Sequence, residues 1–484
     1  MDNRTVTRFA PSPTGFMHIG NLRTALYAWL IAKAEGGKFI LRIEDTDRQR
    51  LIPGSMEVII DTLKAAHLTV DEGPNRGGEN GPYIQSERLP IYKEYAEKLV
   101  KIGHAYYCFC DKTRLEALHE EDANGGYDGH CRNLTEEEVA RKLSENTPYV
   151  IRQKMPQEGT TSYTDMVFGE ISVDNSELTD QILLKADGFP TYNFAHVVDD
   201  YLMGVTHVVR GSEYLSSTPK YVLLYDFYGW PRPKYVHLPL LMGKNANGSI
   251  SKLSKRHGAV SFADLTAQGY LPEAIVNYIA FLGWSPKETN EEVFTLEELT
   301  EIFSIEGINK SPSVFDYDKL IWFNEIYLRK TPFEEFAELA APFIPEQRRD
   351  FAGMEKILRL IQPRIGKLED IEGASDFFFN LPDYDKTLYI NKKNKTTPEN
   401  CLSMLINALD ALKGLEDWSN DGLFACLKEL SEKTGVKAGA MMWAVRVAVS
   451  GLSVTPGGAT ELMEVMGKET SIERIEKAIA MLEA

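Results

Sequence analysis

Cysteine is scarce in this chain. Five cysteines in 484 residues (108, 110, 131, 401 and 426) are too few and too unevenly placed for a disulfide framework. No apolar run approaches the roughly 20 residues that span a bilayer, so no membrane partner is expected. The opening MDNRTVTRFAPSPTG has no cationic stretch followed by an apolar one, so it does not read as a secretory signal, and the cytoplasm is the expected location. Positive charge is in deficit, with 53 Lys and Arg against 71 Asp and Glu and a net charge of −18. That deficit argues against indiscriminate binding of nucleic acid, because neutralising phosphate takes Lys and Arg, but it leaves room for a local basic track. Repeats and long low-complexity segments are also missing. NKKNKTTPEN at 391–400 is the most linker-like piece. The length is too great for a single core and predicts roughly three to five domains.

Against these absences stand two short strings. RFAPSPTGFMHIGN runs from Arg8 to Asn21, and SKLSKRHG runs from Ser251 to Gly258. In the first, a strand leads through a proline-rich loop to His18 and Gly20 at an expected helix start. Helix N-termini expose unpaired N–H groups that favour anions, glycine lets a ligand approach the backbone, and a histidine there can donate to a phosphate oxygen. Read alone, it is equally an ordinary capped helix. The second string lies in a Gly- and Ser-rich stretch, GKNANGSISKLSKRHG, expected to be mobile. Lys252 and Lys255 there are spaced to oppose charge at a triphosphate, though most basic loops are simply solvated.

The local patterning supports an α/β start. Residues 4–10 read as a strand, 21–34 as a helix with Leu22, Ala25, Leu26, Trp29 and Leu30 at helical spacing, and KFILRIEDTD as a second strand. Such a unit opens a doubly wound sheet, whose ligands sit at the carboxyl ends of strands. The loop before His18 and the carboxylates Glu44, Asp45 and Asp47 fall at such ends. From about 83 to 190 the pattern breaks into a strand- and turn-rich stretch that reads as an insertion. Beyond Leu265 the chain is almost wholly helical.

As an ordered pair the two strings resemble the HIGH and KMSKS motifs of class I aminoacyl-tRNA synthetases. RFAPSPTG and the later GFPTYNF narrow the resemblance to the bacterial glutamyl-tRNA synthetases. It implies a Rossmann-type, HIGH-motif nucleotidyl transferase domain made of 1–82 and 193–250. It further implies an α+β acceptor-stem-binding insertion at 83–192, the KLSKR loop with a helical stem-contact domain at 251–327, and an all-helical anticodon-binding region at 328–484 with an internal boundary near 390–400. The implied reaction joins L-glutamate to tRNA(Glu) with ATP and Mg²⁺, in a monomer, with tRNA(Gln) as a further acceptor left open. Three other readings stay in view. A tRNA-modifying relative would lack the helical C-terminal region, and a non-catalytic tRNA-binding paralogue would show decay of His18, Gly20 or Lys255, all of which are intact. A small HIGH-motif nucleotidyltransferase would have neither the insertion nor the helical tail.

The resemblance also assigns residues. Its catalytic charges are His18, Lys252 and Lys255. The ATP set adds Pro11, Thr14, Gly20, Asn21, Glu213, Leu253, Ser254 and Arg256. The glutamate set is Arg8, Ala10, Ser12, Glu44, Tyr192 and Arg210, with two arginines suited to a carboxylate side chain. Position 196, Asn in some members, is His196 here. Asp47 is placed near the tRNA terminus and Arg364 at the anticodon. Cys108, Cys110 and Cys131 suggest structural Zn²⁺, but Asn133 is a poor fourth ligand and His119 and His130 are imperfect substitutes.

Overall fold

In the computed structural model, residues 4–121, 126–258 and 260–484 are described. The first strand, Val6–Phe9, pairs in parallel with Lys38–Leu41 on one side and His207–Gly211 on the other. Its residues Thr7, Arg8 and Phe9 are all buried, as in a parallel sheet covered on both faces. The sheet continues through Lys234–Leu238 to Thr160–Asp165 and ends on the antiparallel strand Gly169–Asp174. The chain leaves the first strand toward one edge and returns on its other side. The carboxyl ends of Val6–Phe9 and His207–Gly211 therefore flank the switch point where such sheets bind ligands.

The helix Ile19–Ala34 is buried nearly all round, from Ile19 through Leu22 and Leu26 to Ala32. It packs on the first strand and is covered by helices Pro272–Ala280 and Leu296–Ile302. Its amphipathic signal is weak for that reason, since a helix covered on every side needs apolar residues on every side. It ends at Gly36, whose φ of +61° favours glycine. Gly37 lies so close to the first strand that a Cβ there would stand 2.0 Å from the Thr5 carbonyl oxygen.

Part of the stretch read as an insertion belongs to the main sheet. The hairpin of Thr160–Asp165 and Gly169–Asp174 joins Lys234–Leu238 through the pair Asp165 and Tyr235. The remainder forms a separate three-stranded sheet of Ala105–Cys108, Val150–Gln153 and Ile182–Leu184. Its core includes Tyr92, Ala96 and Leu99 of helix Leu89–Lys101. A third small sheet joins Leu241–Lys244 to Ile250–Lys252 and to Ser313–Phe315, a strand in a region expected to be helical.

Two compact units result. One comprises Met1–Thr266 and Pro272–Tyr317, the other Ala267–Leu271 and Asp318–Ala484. The second is helical throughout its larger part, including Phe333–Ala340, Met354–Ile361, Pro398–Lys413 and Lys468–Glu483 at the expected segments. Within it, buried Arg474 donates to the carbonyls of Phe377 and Val449, both at 2.7 Å. The linker-like piece at 391–400 is a closed turn. Asn391 and Thr396 exchange backbone hydrogen bonds, and Thr397 with Asn400 forms the capping box of helix Pro398–Lys413.

Candidate functional site

His18 is the N-cap of the first long helix. Its Nδ1 accepts from the Gly20 N–H at 3.1 Å, and its Nε2 is buried without a hydrogen-bond partner among the described residues. Burial first, and then Lys252, lowers its pKa, so the ring is neutral. With Nδ1 accepting, the one ring proton sits on Nε2 and is offered to whatever enters the cleft. The helix is tied to the segment after the second motif, because the Ile19 N–H donates to the Val260 carbonyl at 2.8 Å and His18 bridges Ser261. The two motifs are neighbours for that reason.

The stretch expected to be mobile is a hairpin, Leu241–Lys244 with Ile250–Lys252, followed by the short turn Lys255–His257. His257 organises it. Its Nδ1 faces the Ser254 N–H at 3.0 Å and its Nε2 faces Asn245 Oδ1 at 3.0 Å. Gly243 serves this ring, since a Cβ there would lie 2.6 Å from His257 Cγ. Lys252 reaches Glu213 at 3.9 Å with its side chain 71% exposed. Arg256 donates to Ser251 Oγ at 2.7 Å. The side chain of Lys255 lies outside the described residues.

The floor of the cleft is a buried charge lattice. Arg8 grips Asp200 through Nε at 3.0 Å and Nη2 at 3.2 Å, and donates to the Val209 carbonyl at 3.1 Å. Arg42 bridges Asp200 at 2.8 Å and Glu44 at 3.0 Å. Although burial alone would raise the Asp200 carboxyl, Arg8 and Arg42 hold it well below the usual carboxylate range. Glu44 is pushed up to about 7, mainly by burial. Arg210, buried on the strand His207–Gly211, donates to His237 Nε2 at 3.1 Å and to Thr218 Oγ1 at 2.6 Å. Asp45 is excluded from this floor, because its carboxylate caps the Ser86 N–H at 2.8 Å.

A single cleft of about 500 Å³ gathers most of the expected residues: Arg8, Ala10, Pro11, Ser12, Thr14, His18, Gly20, Asn21, Glu44, Tyr192, Arg210, Glu213, Lys252 and Leu253. Ser254 and Arg256 are not among its walls. Arg23, Thr24, Arg50 and Tyr214 line it as well and carry no motif signal in the sequence.

The sequence model for "tRNA synthetases class I (E and Q), catalytic domain" matches residues 4–322, and that for "Anticodon binding domain" matches 335–479. The chain belongs to the class I tRNA synthetases of the E and Q family. A glutamate–tRNA ligase of Clostridium novyi (strain NT) is 54% identical over 480 residues, 98% of either chain. One from Clostridium tetani (strain Massachusetts / E88) is 51% identical, covering 99% of this chain and 98% of the other. Among solved structures, a glutamate tRNA ligase from Elizabethkingia meningosepticum CCUG26117, in complex with its amino acid, superposes with a TM-score of 0.89 at 37% identity, covering 99% of this chain and 100% of that one.

Three further assignments fall outside the main cleft of this synthetase. Asp47 lines an adjoining hollow with Thr46, Arg48, Gln49 and Lys185, and Tyr192 is common to both. Arg364 sits on the turn Gln362–Arg364 beside a hollow walled by Ile361, Ile365, Phe377 and Val454, within the matched anticodon domain. The sulfurs of Cys108, Cys110 and Cys131 lie within 4.8 Å of one another. Zinc at about 2.3 Å from each sulfur would set them about 3.8 Å apart, and Cys110 and Cys131 stand at 3.6 Å. Among the described residues the oxygen facing them is the Tyr127 hydroxyl, 3.3 Å from the Cys108 sulfur and 3.4 Å from that of Cys110, while Arg114 Nη1 stands 3.6 Å from the Cys110 sulfur. Sequence spacing drew attention to histidines instead. His130 is exposed, and the side chain of His119 lies outside the described residues.

Proposed function

We infer that this chain activates L-glutamate with ATP and transfers it to the terminal adenosine of tRNA(Glu). What carries the reading is that one cleft holds both kinds of group the chemistry needs. Arg8 and Arg210 suit an amino acid with an extra carboxylate, Glu44 suits its ammonium, and His18 and Lys252 suit phosphate. The substrate carboxylate attacks the α-phosphate in line, pyrophosphate leaves, and a terminal ribose hydroxyl then takes the acyl group. No protein nucleophile is needed, so catalysis is positioning plus charge stabilisation. Neutral His18 donates from Nε2 to a phosphate oxygen, and Lys252 and Lys255 meet charge that builds on the departing pyrophosphate. Mg²⁺ accompanies ATP.

The finer assignments are proposals too. Residues 83–192 approach the acceptor stem, with Asp47 beside the tRNA end. Residues 251–327 carry the closing loop and the stem contact, and 328–484 read the anticodon through Arg364. The cysteine cluster holds structural zinc with Tyr127 as fourth ligand. The protein is a cytoplasmic monomer.

Charging purified tRNA(Glu) and tRNA(Gln) separately, each with glutamate and with glutamine, tests the reading. Glutamyl-tRNA(Glu) is expected. Transfer of glutamine alone, or of neither amino acid, overturns it, and charging of tRNA(Gln) with glutamate would mark a dual-acceptor enzyme.

A further inference from the structure

Arg8 and Arg210 are held in opposite ways. Arg8 is ion-paired directly with Asp200, whereas Arg210 has no carboxylate against it among the described residues. Its anchors are neutral. Thr218 Oγ1 accepts from Nη2 while giving its own proton to the Tyr214 carbonyl at 2.8 Å. His196 faces Nη1 at 3.5 Å, and its other ring nitrogen is taken up by the Tyr192 carbonyl. Burial first, and Arg210 next, pushes His196 down to about 3, which keeps it neutral.

The third anchor, His237, is set from behind. Its Nδ1 lies 2.7 Å from Asp165 Oδ2, and a carboxylate can only accept, so Nδ1 carries the proton. Burial lowers the His237 pKa, the ring is neutral, and Nε2 presents a bare lone pair to Arg210 Nε. Asp165 is itself fixed. Its Oδ1 accepts the N–H groups of Val167 and Phe168, and its Oδ2 also accepts that of His237. This carboxylate comes from the hairpin that joins the main sheet beside Lys234–Leu238.

We propose that Asp165 and His237 are positioning residues for substrate selection: they aim the Arg210 guanidinium through a neutral acceptor, so that its charge is left for the side-chain carboxylate of the amino acid. A carboxylate placed directly on Arg210 would hold it equally well but would neutralise the charge the substrate is to meet. The proposal rests on the glutamate reading above.

Two near-isosteric variants separate positioning from bulk. In His237→Gln the side-chain amide oxygen can take the place of Nε2 and still accept from Arg210. In His237→Asn the amide reaches only the Nδ1 position and loses that bond. Steady-state aminoacylation at varied glutamate and varied ATP is the readout, with thermal melts as a folding control. His237→Asn is expected to raise the KM for glutamate about tenfold or more with ATP KM and kcat within about threefold, while His237→Gln stays within about threefold of the parent throughout. Asp165→Asn, whose oxygen is expected to keep the Val167 and Phe168 N–H groups and so to turn its NH2 toward Nδ1 and favour the wrong His237 tautomer, should raise glutamate KM in the parent and add little in the His237→Gln background. Equal effects of Gln and Asn at 237, or an ATP KM that rises with the glutamate KM, would overturn the proposal. If the 237 variants melt below assay temperature, Asp165→Asn alone decides by the same split between glutamate and ATP. A parent protein that charges no glutamate would instead remove the reading on which the proposal rests.

Discussion

The floor of the cleft and the loop that would close it are built on opposite principles. The floor is dry and cross-braced: Arg8, Arg42, Glu44 and Asp200 are buried and joined by hydrogen bonds of 2.8–3.2 Å. The hairpin at 241–258 is carried by Asn245, Ser251 and His257, and among the described residues its ion pair to the cleft wall, Lys252 with Glu213, spans 3.9 Å between two exposed side chains. Buried charges in a fixed frame are organised before substrate arrives, which suits recognition of a ground-state carboxylate. Exposed lysines on a surface hairpin are organised only when a ligand draws them in, which suits charge that appears during reaction. The contrast predicts that damage to the loop appears in rate and damage to the floor appears in substrate choice.

The largest effect is expected at Lys255. Lys255→Ala should slow activation by about 10²–10³-fold, the usual cost of losing one transition-state charge donor, with glutamate KM little changed. Near-parental turnover at saturating ATP would move this lysine out of the chemistry. Arg210→Gln should follow, with kcat/KM for glutamate falling about 10²-fold and no efficient use of glutamine gained. The lost guanidinium removes carboxylate pairing, while His196, His237 and Thr218 remain arranged around a donor. Comparing kcat/KM for the two amino acids checks it.

Glu44 sharpens the comparison through pH. Its carboxyl is raised to about 7 by burial, and on the proposed reading the ionised form is the one that would attract the substrate ammonium. Glutamate KM should therefore be flat above that value and rise as pH falls through it, by up to about tenfold per unit, while ATP KM does not follow. A pH profile of both constants between 5.5 and 8.5 (roughly the range in which a single group at this position would titrate) reads the difference. The smallest effect on chemistry is expected at the cysteine cluster, far from either motif in sequence. Protein purified without chelator should carry about one zinc, and Tyr127→Phe should weaken its retention. Less than about a tenth of an equivalent would leave three free thiols.

The pocket was more legible in the sequence than its supports. Strand ends, Gly20 at a helix start and paired lysines have local signatures, and the structure brings His18, Glu44, Arg210 and Lys252 to one cleft. Asp165 and His237 lie 72 residues apart and meet only because a hairpin from the supposed insertion adds to the main sheet, a tertiary event with no local pattern. Tyr127 was missed because a phenol among thiols has no familiar spacing. The glycines at 243 and 248 suggested looseness, yet the first makes room for His257 and the second turns a hairpin at φ +82°. A glycine's spacing along the chain does not distinguish freedom from close approach.

The most direct test of a prebuilt floor under an unfinished phosphate site is ATP–pyrophosphate exchange by the full-length protein, freed of RNA with nuclease and supplied with glutamate. Negligible exchange is expected until cognate tRNA is added, because the exposed loop lysines reach the triphosphate only once bound tRNA draws the preformed hairpin over it. Robust exchange without tRNA would contradict it, showing both halves of the cleft to be complete in the free enzyme.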